Sequence, residues 1–278
     1  MKDTTREELL FFLQTNILSE TYTIHDLFYH WFAERECSNY DELLNAIDEY
    51  CDFLLNHINY IKFNPETIMA SRIPIMIESA RQHIKNNFLP SDLQDQKFFT
   101  ENVSTILGTS EIGHLLDVGP GGSAVSSLLF ANKCKKVSAM DSHFYLSQQA
   151  LKHMNVVAYN NYFSKNTSVS DYDIIVGRAP CSAIEPMVAN CSAANKPYII
   201  LLCDCHLPRD KKLETPSLGW EQVLPLIDPK IRFHGQYAFN IDATPEQVSK
   251  IIKDYTYKPL KQRLLVEPSF EFDYDFDI

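Results

Sequence analysis

Leu115-Leu116-Asp117-Val118-Gly119-Pro120-Gly121-Gly122-Ser123-Ala124 decides how this 278-residue chain is read. A short apolar run ends, glycines turn the chain tightly, and a helical pattern runs from Ser123 to Asn132. Glycine suits such a turn because a Cβ would block close approach of a ligand to the backbone. The first N–H groups of the helix have no partner within it and face whatever lies over the turn.

Working outward, the same texture repeats. His114 to Val118 reads as a first strand, Val137 to Asp141 as a second and Val156 to Tyr159 as a third. Tyr172 to Val176 is a fourth and Pro197 to Cys203 a fifth. Helical stretches fall between several of them, notably Tyr145 to His153 and Cys181 to Ala194. Apolar strands alternating with helices imply βαβ units and a parallel sheet covered on both faces. After Pro208 the pattern weakens. Trp220 to Ile227 reads as helical, Ile231 to Ile241 as extended, and Thr244-Pro245-Glu246 as another helix start. The tail from Phe270 to Asp277 alternates aromatic and acidic residues, the period of a strand with one buried face.

Upstream the chain is different. All eight glycines lie at or after Gly108. The stretch before it carries apolar residues at helical spacing. Residues 5 to 18 place Leu9, Leu10, Phe12, Leu13 and Ile17 on one side. Thr23 caps a helix bearing Leu27, Phe28, Trp31 and Phe32. Ser38 with Asp41 resembles a capping box, opening a helix that buries Leu43, Leu44, Ile47, Phe53, Leu54 and Ile58. Asn64-Pro65-Glu66 reads as a helix start, with the helix running to about Asn87 and Pro74 interrupting it. Pro90-Ser91 opens the next helix, which ends near Gly108. The expectation is therefore an α/β chain: a helical N-terminal domain over residues 1–108, then a doubly wound, mostly parallel Rossmann-like sheet over 109–278.

Composition narrows the function. Hydrophobic residues make up 45% and charged residues 22%, a globular balance. Lys and Arg total 25 against 36 Asp and Glu, a net charge of −11. Phosphate-backbone binding needs clustered positive charge, so a nucleic-acid partner is disfavoured. The longest aliphatic run, Tyr198 to Cys203, is far short of a membrane span. The mixed charges of Met1 to Glu8 do not read as a signal peptide. Seven cysteines, an odd number without framework spacing, suggest reduced thiols and a cytoplasmic protein.

Two cofactor classes fit the glycine turn. Gly119, Gly121 and Ala124, with Asp141 about twenty residues on, meet the dinucleotide fingerprint. Asp117-Val118-Gly119-Pro120-Gly121 also resembles the first motif of the class I S-adenosylmethionine-dependent methyltransferases, over roughly residues 110 to 206. Asp117 separates the two. A carboxylate repels a pyrophosphate but suits the ammonium and sulfonium of S-adenosylmethionine. The resemblance implies that Gly119, Pro120 and Gly121 pass along the methionine part and that Asp141 accepts from the ribose hydroxyls. It places Ser142 and His143 beside the adenine, with Asn160, Asn161 and Tyr162 nearby. The third glycine of the fuller family motif is Ser123 here.

The acceptor side begins beyond the fourth strand, at Gly177-Arg178-Ala179-Pro180-Cys181-Ser182-Ala183. It lacks the Asn-Pro-Pro-Tyr pattern of enzymes that methylate base nitrogens. Ala179-Pro180-Cys181-Ser182 resembles the Pro-Cys motif of the RNA cytosine-C5 methyltransferases, with Cys203 and Cys205 after the fifth strand, but Arg178 replaces that family's aspartate. Cys203-Asp204-Cys205-His206 offers three crowded ligands and no second cluster, so no metal is expected. Arg178, as a bidentate partner for a carboxylate, Cys181 and His206, as a base, are the acceptor-side candidates. Tyr22, His25, Tyr29 and His30 are candidates for a lid.

The resulting expectation is a cytoplasmic enzyme moving a methyl group from S-adenosylmethionine to a small molecule, the helical part supplying lid, substrate or dimer contacts. A homodimer is one assembly this layout allows. Alternatives are an aminobutanoyl transferase resembling nicotianamine synthase, an RNA cytosine-C5 methyltransferase, a nicotinamide-dinucleotide oxidoreductase, or a non-catalytic binding protein on the same scaffold.

Overall fold

A computed structural model describes residues 37–63, 65, 68–89, 93–107, 112–203 and 216–241, with Ile24, Phe28, Tyr29 and Phe32. The readings placed on residues 5–18, on the Thr23 cap, Leu27 and Trp31, on Asp204, Cys205 and His206, on the Thr244 helix start and on the acidic aromatic tail lie outside them. So do the lid candidates Tyr22, His25 and His30, and the boundary at 108–109.

Three helices precede the sheet: α1 (Tyr40–Asn56), α2 (Ile73–Phe88) and α3 (Leu93–Ile106). Two expectations about their starts are corrected. The cap of α1 is Asn39, whose side chain accepts from the Glu42 amide, while the Glu42 carboxylate accepts from Ser38 N–H at 2.8 Å. The cap is thus one residue later than the Ser38–Asp41 spacing suggests, and the Glu42 carboxylate reaches back to the amide of the residue before it. The second helix starts at Ile73, not near Pro65, and Pro74 opens it rather than interrupting it. A proline lacks the amide that the first turn leaves unused anyway, so it favours a start over an interior. Between α1 and α2, Arg81 bridges Asp48 and Asp52 while Lys85 reaches Asp48.

The sheet comprises β1 (Ile112–Val118), β2 (Cys134–Asp141), β3 (Val156–Asn160), β4 (Ile174–Arg178), β5 (Tyr198–Leu201), β6 (Arg232–His234) and β7 (Tyr237–Asn240). Its order is β3-β2-β1-β4-β5-β7-β6. The first five strands are parallel, and β7 runs antiparallel to both β5 and β6. The extended stretch from Ile231 to Ile241 is therefore a hairpin, turned at Gly235 with φ +55°. Helices α4 (Val125–Ala131), α5 (Gln148–His153), α6 (Ile184–Ala194) and α7 (Pro216–Val223) cover the sheet.

Period two sorts the strands between two cores. Leu115, Val137, Ala139, Ile174, Val176, Ile199 and Leu201 share one core with α1 to α5. Leu116, Met140, Ile175, Tyr198 and Ile200 face the other, under Ile184, Met187 and Val188 of α6 and Trp220 of α7. Strands β1, β2 and β3 are laid down in one direction across the sheet, and β4 and β5 in the other. The crevice where ligands sit in such sheets therefore opens between the ends of β1 and β4.

At the opposite end of β1, His114 is held from both ring nitrogens, Nδ1 by the Asp171 carbonyl at 3.0 Å and Nε2 by Ser138 Oγ at 2.8 Å. Burial, with Lys136 nearby, holds its pKa below the usual 6.5. Below pH 6.5 the unfolded chain binds a proton that the folded chain resists, so stability falls as pH falls through that window. The urea midpoint of wild type should drop more steeply from pH 7 to pH 5.5 than that of His114→Gln. Parallel slopes would sink this assignment.

Candidate functional site

The glycine turn is shaped by left-handed backbone. Gly119 has φ +69°, Gly121 φ +81° and Ala124 φ +52°. Gly119 N–H donates to the Met140 carbonyl at 2.9 Å, tying the turn to β2. A Cβ on Gly121 would meet nothing within 4 Å. Gly121 is thus required by its φ, and the space before it stays open. Gly177 is required by packing instead, because a Cβ there would meet Pro180 Cγ at 2.9 Å. A Cβ on Gly119 would stand 3.1 Å from the Cα of the same proline. Two glycines from different strands therefore let the Pro180–Cys181 loop lie against the turn.

A cavity opens at these strand ends. Its walls include Val118 and Gly119 at the end of β1, Asp141 and Ser142 at the end of β2, and Asn161, Tyr162 and Phe163 after β3. Ala179 to Ala183, after β4, form the far side. Of the residues singled out in the sequence, Gly119, Asp141, Ser142, Asn161, Tyr162 and Cys181 are brought together here. Pro120 is buried in the turn, and Gly121 is exposed beside it. Arg178 ends β4, half-buried, outside the cavity lining.

Asp141 organises the near wall. Its Oδ2 accepts from Gly121 N–H at 2.9 Å, and its Oδ1 accepts from Ser142 N–H at 2.7 Å and Ser142 Oγ–H at 3.2 Å. Its own carbonyl accepts from Asn161 N–H at 2.8 Å, which fixes the exit of β3. One residue thereby joins the glycine turn, through its carboxylate, and the β3 exit, through its carbonyl.

Asp117, the carboxylate that separates the two cofactor classes, lies beneath the turn and outside the cavity lining. It is fully buried, on the side of α4. Oδ2 accepts from Ser126 Oγ–H and Ser127 Oγ–H, both at 2.7 Å. Oδ1 has no partner among the described residues. Burial raises its pKa from 3.8 to about 6, against the lowering effect of the two serines and of Arg178. The serines escaped the sequence reading, although two hydroxyls in the first turn of the helix after an acidic strand end are a usable signal.

The sequence also missed Met140 and Phe163 in the cavity, and Tyr145. Tyr145 N–H donates to the Gly122 carbonyl at 2.8 Å, and its ring lies 3.0 Å from where a Gly122 Cβ would stand. The ring stacks on Tyr29 at 5.9 Å, and Asn87 Nδ2–H donates to the Tyr29 hydroxyl at 3.0 Å. Tyr29, a lid candidate, thus reaches the outer edge of the turn. Tyr145→Leu should weaken ligand binding about threefold, the worth of one aromatic pair. Isothermal titration checks this, and an unchanged affinity would remove Tyr145 from the site. Among the described residues no group of three or more His, Cys, Asp or Glu is arranged to hold a metal. No described helix is long and apolar enough to cross a membrane.

No family model matches the chain. No curated protein matches it. Solved structures do resemble it. A SAM-dependent methyltransferase from Aquifex aeolicus is 22% identical, with 54% of this chain and 90% of that one covered and a TM-score of 0.37. The plantazolicin methyltransferase BpumL, in complex with SAH, is 15% identical over 68% of this chain and 86% of its own, with a TM-score of 0.38. The N-methyltransferase NodS from Bradyrhizobium japonicum WM9 is 10% identical over 54% and 94%, with a TM-score of 0.36.

Proposed function

We propose that this chain binds S-adenosylmethionine over the glycine turn and transfers its methyl group to a small-molecule acceptor. One observation carries the choice of cofactor class: the Gly121 amide is already engaged by the Asp141 carboxylate at 2.9 Å. A diphosphate would need that amide and would meet a carboxylate in its place. A second carboxylate, Asp117, lies buried below the same turn, with one oxygen lacking a partner among the described residues. The turn is bracketed by negative charge and suits a cation. The sheet supports the same choice. The usual dinucleotide order continues beyond the fifth strand with a sixth strand, whereas here the antiparallel β7 takes that place.

In this reading Gly119 and Gly121 give the methionine part room to pass along the backbone. Asp141, using lone pairs left after its three protein bonds, takes the ribose hydroxyls. Ser142, Asn161 and Tyr162 flank the adenine. Asp117 acts through space from beneath rather than by contact. Bound S-adenosylmethionine supplies a methyl group already activated by the sulfonium. The chain's contribution is to align the acceptor, exclude water and hold charge in place. Arg178, Cys181 and His206 remain the acceptor-side candidates, with Cys181 in the cavity wall. The acidic composition and the cysteine usage support a small acceptor and a cytoplasmic setting.

A thermal-shift titration tests the reading, because a ligand that binds the folded state raises its apparent stability. S-adenosylmethionine and S-adenosylhomocysteine should stabilise the protein and NAD should not. Stabilisation by NAD alone would overturn the assignment. Product analysis separates methyl transfer, which leaves S-adenosylhomocysteine, from aminobutanoyl transfer, which leaves methylthioadenosine.

A further inference from the structure

We propose that Cys181 and Cys203 are a peroxide-sensitive pair that closes into a reversible disulfide in the acceptor-side wall of the cavity. Their sulfurs stand 3.8 Å apart. A disulfide requires about 2.05 Å, so closure asks for less than about 2 Å of movement shared by two side chains. The residues come from different elements, Cys181 after β4 and Cys203 after β5, twenty-two positions apart in the chain. Cys181 is half-buried and lines the cavity, which gives a small oxidant a route to its sulfur. Cys203 is buried, and its carbonyl accepts from Trp220 Nε1–H at 2.6 Å, which anchors it.

The loop carrying Cys181 is strained. Ala179 and Cys181 both adopt left-handed backbone, at φ +52° and +50°. That conformation is costly for residues with a Cβ and is held only by its surroundings. The remaining described cysteines differ. Cys37, Cys51, Cys134 and Cys191 are buried in the apolar cores, and burial pushes the thiols of Cys51, Cys134 and Cys191 up to about 11, 12 and 12. A reduced compartment is compatible with such a pair, since disulfides there are transient and often serve sensing.

The chemistry balances with hydrogen peroxide as oxidant. The Cys181 thiolate attacks peroxide: an S–O bond forms, the O–O bond breaks, and hydroxide takes up the thiol's proton and leaves as water. Cys203 then attacks the sulfenic sulfur: the S–S bond forms, the S–O bond breaks, and a second water leaves with the Cys203 proton. Two thiols are oxidised and one peroxide is reduced. Dithiothreitol reverses the pair by thiol exchange.

The disulfide rests on the fold alone, and the description of its wall as the acceptor side rests on the methyltransferase reading. The full chain, with its Cys205→Ser, Cys181→Ser and Cys203→Ser variants, is treated with hydrogen peroxide, alkylated and mapped as unreduced peptides by mass spectrometry. In wild type and Cys205→Ser, Cys181 and Cys203 should lose alkylation together, appear as one linked peptide lighter by two hydrogens, and recover with dithiothreitol. Neither of the other variants should give that peptide. The proposal is overturned if Cys181 reaches sulfinic acid while Cys203 is still alkylated, or if Cys181 links to Cys205 instead. Titration of reduced and oxidised protein with S-adenosylhomocysteine runs alongside. Binding to neither form sinks the cofactor reading and leaves the peptide result standing.

Discussion

Replacing Asp141 by alanine will weaken S-adenosylmethionine binding by at least about a hundredfold, which is about 3 kcal/mol, while the protein stays folded. The magnitude follows from what the carboxylate does twice. It accepts from Gly121 N–H and from Ser142, so its loss removes the side-chain tie between the glycine turn and the β2 exit and leaves only the Gly119–Met140 backbone bond. In the proposed complex it also takes the ribose hydroxyls, and hydrogen bonds to a charged group contribute about 1.5–3 kcal/mol each. Folding survives because Asp141 is only half-buried at a strand end. Asp141→Asn keeps an acceptor for Gly121 and should lose less, about tenfold, since the charge is gone but the geometry stays. Isothermal titration with circular dichroism as the folding control reads both. Equal affinity in wild type and Asp141→Ala would remove this residue from the cofactor site.

Asp117→Asn should separate stability from binding. Burial holds the Asp117 carboxyl at about 6 against 3.8 when exposed. The folded state therefore binds more protons than the unfolded state between those values, and stability falls as pH rises through that window. Between pH 5 and pH 7 this amounts to about 1 kcal/mol. The stability difference between variant and wild type should shift by that amount in favour of Asp117→Asn over the same range, as read from urea midpoints. Binding should move the other way. A cation above the turn stabilises the ionised carboxylate, so wild-type affinity for S-adenosylmethionine should fall from pH 7 to pH 5, and Asp117→Asn should bind about tenfold more weakly at pH 7. If the variant binds as tightly as wild type, the buried charge is structural and the electrostatic argument fails. A buried carboxylate with a raised pKa at a strand end beside a cavity fits a functional site.

The five parallel strands were legible because each is a short apolar run flanked by turn residues, and β1 to β5 fall on the segments so identified. The turn after Val118 was legible because glycine at φ +69° and +81° marks backbone that other residues avoid. The start of α2 was not. Asn64-Pro65-Glu66 and Arg72-Ile73-Pro74 both satisfy the local preference for proline in a first turn, and the structure takes the second. The Ile231–Ile241 hairpin was read as one extended stretch, since Gly235 alone does not say whether the chain reverses or bulges there.

The sequence by itself determined which segments are strands, where the chain must turn, and that two acidic residues flank the turn. These follow from backbone preferences and the period of apolar residues, and both are local. Only the tertiary structure decided that Asp117 points beneath the turn to Ser126 and Ser127, that Asp141 takes the Gly121 amide, and that Cys181 meets Cys203. Each of these depends on which strand lies beside which. Strand order is set by how the two apolar faces close over the whole sheet, and no window of neighbouring residues contains that information.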